Sequence, residues 1–73
     1  MAMYAAPVVR LTRLRMWRER RAMTQQELAD KAGITRVALS RIESGQAEPR
    51  PTTVRRLAQV LRVEPDALMD PID

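Results

Sequence analysis

Residues 24–45 read TQQELADKAGITRVALSRIESG, and the order of residue types in this stretch decides the fold. Thr24 stands three residues ahead of Glu27, which is the spacing of a capping box. In that box the threonine hydroxyl accepts from the Glu27 backbone N–H while the Glu27 carboxylate reaches back to the Thr24 N–H. The helix so started carries Leu28 and Ala29 on one face and runs to about Ala32. Gly33 then supplies a left-handed closing position without the steric penalty of a Cβ. Thr35 is the N-cap of a second helix, in which Val37 or Ala38, Leu39 and Ile42 alternate with Arg36, Ser40, Arg41 and Glu43. Gly45 closes this helix by the same logic. Only residues 33–35 lie between the two helices, and so short a turn forces them apart at a steep angle. Such a pair cannot bury itself alone. Neighbouring helices must cover its apolar side, which leaves the opposite face of the second helix free to enter a groove about one helix wide.

Outward from the pair, the periodicity predicts a first helix from Val8 or Val9 to Arg21, with Leu11, Leu14 and Trp17 on one apolar edge. Arg10, Arg13, Arg15, Glu19 and Arg20 occupy its other faces. Downstream, Pro51 opens a fourth helix at a position where its missing N–H costs nothing. Val54, Leu57, Ala58 and Leu61 form its apolar stripe, and Arg55, Arg56 and Arg62 face outward. A short fifth helix is expected from about Pro65, with Asp66 favourable in its first turn and Ala67, Leu68 and Met69 turned inward. No useful length alternates with period two, so no strand is expected. The expected architecture is an all-α, compact five-helix domain over residues 9–73 with a central helix-turn-helix, preceded by an N-terminal extension over residues 1–8. The expected core is Leu11, Leu14, Met23, Leu28, Ala29, Ile34, Leu39, Ile42, Val54, Leu57, Ala58, Leu61 and Leu68.

Composition narrows the chemistry. A chain of 73 residues is one domain at most, and it buries only about 60% of its unfolded surface. Cysteine and histidine are both absent. Disulfides, zinc sites built on those residues, and Ser–His or Cys–His catalysis are therefore excluded. Ser40 and Ser44 are the sole serines, and the two glycines make no phosphate-binding loop. The chain does not read as an enzyme, and no cofactor, metal or small-molecule ligand is implied. The longest apolar run, residues 5–9, falls far short of the roughly 20 residues that span a bilayer. No positive charge precedes it, so it does not read as a signal peptide. No membrane partner is expected, and the expectation is a soluble cytoplasmic protein. Residues 1–62 hold all 13 basic side chains and five acids, whereas residues 63–73 hold four acids and no base. A basic body points to a polyanionic partner, either nucleic acid or an anionic membrane. Arginine that merely solvates helix surfaces is the plainer reading of the same charge.

Leu14, Arg18, the TQQELA run, Gly33, the SRIESG run, Pro49 and LAQVLRVEPDAL together resemble the Cro and phage-repressor (Xre) type of helix-turn-helix family, with its lambda-repressor-like fold. The likeness covers about residues 10–69. It implies that the second helix of the motif lies in the major groove of double-stranded DNA, with Arg36, Val37, Ser40 and Arg41 facing bases. Arginine can bond guanine O6 and N7 together, and valine can pack on a thymine methyl. Position alone leaves phosphate contact open for Arg36 and Arg41, and leaves open that Val37 turns inward as core. The resemblance also implies phosphate contact by Thr24 and Gln25 at a helix N-terminus, and by Gln46 and Arg50 in the loop after the recognition helix. Thr24 as a cap alone and Gln25 as a solvated side chain remain the simpler alternatives. Arg18 and Glu43 correspond to an internal ion pair that fixes the recognition helix; two unrelated surface charges are the alternative. A homodimer on a palindromic operator is expected, with Val63, Leu68, Met69 and Ile72 as its apolar strip unless that strip only seals the core. The function implied is transcription regulation, as a controller protein, a phage-type repressor or an antitoxin. A stand-alone chain of this length suits a controller or simple autoregulator. The alternative is a helical protein-interaction module that does not bind DNA. The leading MAMYAAPVV segment has no counterpart in the family pattern.

Overall fold

The computed structural model describes residues 10–69. The extension over residues 1–8 and the position of Ile72 lie outside them. The elements in chain order are α1 (Leu14–Arg20), α2 (Gln25–Ala32), α3 (Arg36–Glu43), α4 (Pro51–Leu61) and a 3-10 helix, Pro65–Leu68. The fold is thus all-helical among the described residues, with four α-helices and one 3-10 turn in place of the five helices expected. The last element stays short because its carbonyls are taken from elsewhere. Ala67 O accepts from the Trp17 indole at 2.9 Å, and Leu68 O accepts from the Arg13 N–H at 3.0 Å. Met69 then turns extended, and the chain leaves the helical conformation. The same Arg13 contact shortens α1. The Arg13 amide is bonded to Leu68, and α1 begins at Leu14; Val8 and Val9, the expected start, lie outside the described residues.

Helix starts follow the side-chain chemistry. The Thr24 hydroxyl accepts from Glu27 N at 3.1 Å, and Thr24 N donates to Glu27 Oε1 at 3.0 Å, which closes the capping box. Thr35 caps α3 by accepting from Ala38 N at 3.0 Å. Helix ends share one device. Each of the four α-helices ends with a left-handed residue and a bond that skips back five positions: Met23 N to Arg18 O, Ile34 N to Ala29 O, Gln46 N to Arg41 O and Val63 N to Ala58 O. The left-handed residues are Ala22, Gly33, Gly45 and Arg62. This is the Schellman arrangement, in which the residue after the left-handed one commonly packs on the helix it closes. Met23, Ile34 and Val63 do so, each partly buried against the core. Met23 and Ile34 were expected as full core and are instead these closing residues.

The core comprises Leu11, Leu14, Leu28, Ala29, Ala32, Leu39, Ile42, Val54, Leu57, Ala58, Leu61 and Leu68. It contains every other expected residue and adds Ala32. No described helix is long and apolar enough to cross a membrane.

Candidate nucleic-acid interface

The site is the outer face of α3. At about 100° per residue, Arg36, Ser40, Ser44, Val37 and Arg41 fall in that order across an arc of roughly 140°, with Leu39 and Ile42 on the opposite side. Burial follows this division. Leu39 and Ile42 are buried, Arg36, Val37, Arg41 and Ser44 are exposed, and Ser40 is intermediate. Val37 does not turn inward: it is 53% exposed, and it is the large hydrophobic residue most open to solvent among the described residues. The turn over residues 33–35 aims this face away from the body. Gly33 sits at φ 73° there, with space for a side chain but a backbone that disfavours one.

The face is held from behind by an ion pair. Arg18 Nε donates to Glu43 Oε2 at 2.7 Å and its Nη2 donates to Oε1 at 3.1 Å, a bidentate fork between α1 and the end of α3. Arg18 Nη1 also donates to the Met23 carbonyl at 2.9 Å. The two side chains are 11% and 5% exposed, so these are not loose surface charges. The hydrogen bond to Glu43 raises the Arg18 guanidinium further above its ordinary pKa, against the opposing effect of burial.

Gln25 joins the same carboxylate, donating Nε2 to Glu43 Oε1 at 3.1 Å. Its side chain is therefore positioned rather than freely solvated. Thr24 is used as a cap, and the N–H groups of the first turn of α2 point out of the helix start. Gln46 and Arg50 are exposed in and after the loop that follows α3, and Arg50 is the N-cap of α4. The recognition face, the start of α2 and this loop thus hold the base-facing and phosphate-facing candidates.

On the far side, Val63 and Met69 are half-buried. Met69 lines a groove of about 220 Å³ together with Pro49, Pro51, Val54, Arg55 and Pro65, whereas Val63 lines a second groove with Ala58, Gln59 and Glu64. Leu68, expected in the same strip, is 0% exposed and packs inside its own chain. Trp17 lies at the core edge. Its indole bonds Ala67 O, and the guanidinium groups of Arg20 and Arg21 lie 5.4 and 5.1 Å from its ring. Arg21 Nε also caps α4 by donating to Leu61 O at 2.8 Å, a link that no sequence pattern signalled. Among the described residues no cluster of three or more acidic side chains is placed to hold a metal ion.

Two capped helices at a three-residue turn, with a polar, arginine-bearing outer face on the second, define a helix-turn-helix protein. The chain belongs to the helix-turn-helix family whose pattern matches residues 14–68. The HTH-type transcriptional repressor RghR of Bacillus subtilis is 39% identical over 57 residues, 77% of this chain and 42% of the repressor. The chain spans about half the length of the curated relatives it matches. Among solved structures, the restriction-modification controller protein C.AhdI from Aeromonas hydrophila aligns with a TM-score of 0.76 at 31% identity, over 80% of this chain and 88% of that one. The P22 c2 repressor in complex with a synthetic operator aligns with a TM-score of 0.75 at 29% identity, over the same shares of the two chains.

Proposed function

We propose that the chain is a sequence-specific double-stranded DNA-binding transcription regulator that acts in the cytoplasm as a homodimer on a palindromic operator. The observation that carries this reading is the outward face of α3, where Arg36, Val37, Ser40 and Arg41 stand together while Arg18 and Glu43 fix the helix from behind. Arg36 and Arg41 read guanines, and Thr24, Gln25, Gln46 and Arg50 bond phosphates on either side. Such contacts position the domain without reading sequence. Its activity is binding, not catalysis. One recognition helix spans only a few base pairs, so two copies related by a two-fold axis are needed for a selective site. Met69, which lines the apolar groove, and Val63 form the contact between copies, with Ile72 following them in the chain. The family likeness and the likeness to an operator-bound repressor support the reading. A gel shift of genomic duplex fragments at two salt concentrations tests it. Retention that weakens steeply with salt is expected. No retention near physiological salt would favour a helical protein-interaction module instead.

A further inference from the structure

Val37 is an anomaly on its own face. The residues around it, Arg36, Ser40, Arg41 and Ser44, all carry hydrogen-bonding groups, yet an exposed valine stands among them. It has no donor or acceptor, so it gains nothing from the nitrogen and oxygen atoms of base edges. The one apolar group that ordinary base pairs present in the major groove is the C5-methyl of thymine. That methyl is not unique to thymine, because 5-methylcytosine carries it at the same ring position.

We infer that Val37 reads the C5-methyl group itself, so that the protein treats thymine and 5-methylcytosine alike at this contact and distinguishes both from their unmethylated counterparts, uracil and cytosine. Cytosine C5-methylation at that base pair then strengthens binding. The inference rests on α3 entering the major groove as proposed above. Val37 lies one helical turn before Arg41 on the same row, with Cβ atoms roughly 5–6 Å apart. At about 3.4 Å per base pair, the methyl that Val37 covers lies one or two steps from the guanine that Arg41 reads. A methylated pyrimidine close to a guanine is therefore the local signature this face selects.

The test uses the full chain and a duplex chosen by selection from a random pool. Each thymine of the half-site is replaced in turn by uracil, which deletes one methyl and keeps every hydrogen bond. At one position per half-site the affinity is expected to fall about fourfold, the partition of one methyl-sized apolar group. At that position, 5-methylcytosine is expected to bind about fourfold tighter than cytosine. Both ratios shrink to near one in Val37→Ala, whose fold is checked by melting. The paired ratios form a double-mutant cycle between the valine and the methyl. Equal binding of thymine and uracil throughout the half-site overturns the inference, as do ratios that persist unchanged in Val37→Ala. Failure to bind any duplex overturns the proposed function as well, so the two failures are distinguishable.

Discussion

Replacing Arg18 by alanine removes three hydrogen bonds at once, two from the Glu43 carboxylate and one from the Met23 carbonyl. Glu43 is 5% exposed, so water does not take their place. The Gln25 amide is then the remaining side-chain donor to that carboxylate among the described residues. Breaking one side of a buried pair costs about 3–5 kcal/mol, chiefly because the surviving charge is left buried without compensation. The retained Gln25 bond and the 11% exposure of Arg18 put the expected cost at the lower end, about 3 kcal/mol. A domain of this size has a total stability of about 4–11 kcal/mol, and its melting temperature moves by about 4–8 °C per kcal/mol. Arg18→Ala is therefore expected to melt roughly 12–24 °C below the parent, followed by circular dichroism because Trp17 adjoins the mutated position. A drop of less than about 4 °C would refute the reasoning, since it would mean that water reaches Glu43. The double variant Arg18→Met with Glu43→Leu sharpens the test. If an uncompensated charge is the cause, a well-packed apolar pair restores most of the loss. If the double variant melts as low as Arg18→Ala, lost packing is the cause instead.

Ala22 and Gly33 hold equivalent left-handed positions after α1 and α2. Ala22→Gly relieves a non-glycine residue at positive φ and is expected to raise stability by about 0.5–1 kcal/mol, whereas Gly33→Ala lowers it by about 1–2 kcal/mol. Urea melts of the two variants shifting in the same direction would contradict this. The Thr24 backbone N–H, and then its hydroxyl, hold the Glu27 carboxyl below its ordinary value near 4.5. The stabilisation from that contact is present above the unfolded value and is lost as pH falls below it through the lower folded value. The difference in melting temperature between the parent and Glu27→Gln should therefore narrow as the pH is lowered below that value, and a constant difference would contradict the capping account. Arg50→Ala is expected to weaken all duplexes alike and to reduce the salt slope of binding by about one per protomer. An altered sequence preference would instead make Arg50 a base contact.

The two helices of the motif were legible because their boundaries rest on particular side chains. Thr24 and Thr35 supply cap oxygens, and Gly33 and Gly45 supply left-handed backbone. The ends of α1 and α4 close by the same hydrogen-bond pattern without glycine. Ala22 and Arg62 take the strained conformation where the neighbouring Met23 and Val63 pack on the core, and that is a tertiary effect with no local signature. The start of α1 and the shortness of the 3-10 turn share one cause, the Arg13–Leu68 bond across the fold. Periodicity separated Arg36, Ser40 and Arg41 from Leu39 and Ile42 and so exposed the candidate face. For Val37 it allowed either side, and the geometry turns that residue outward. Trp17 and Arg21 act through carbonyls more than 35 positions away, which no spacing rule reaches.

The central claim is that α3 reads bases. Selection of bound duplexes from a random pool, run in parallel with the parent protein and Arg41→Ala, tests it most directly. The parent is expected to enrich two half-sites related by a two-fold axis, spaced by about 10–10.5 base pairs or a multiple of it. Arg41→Ala is expected to lose a guanine preference at one position in each half-site and to keep the others. A pool that the parent leaves unenriched, or an Arg41→Ala variant that weakens every sequence equally, would contradict the account.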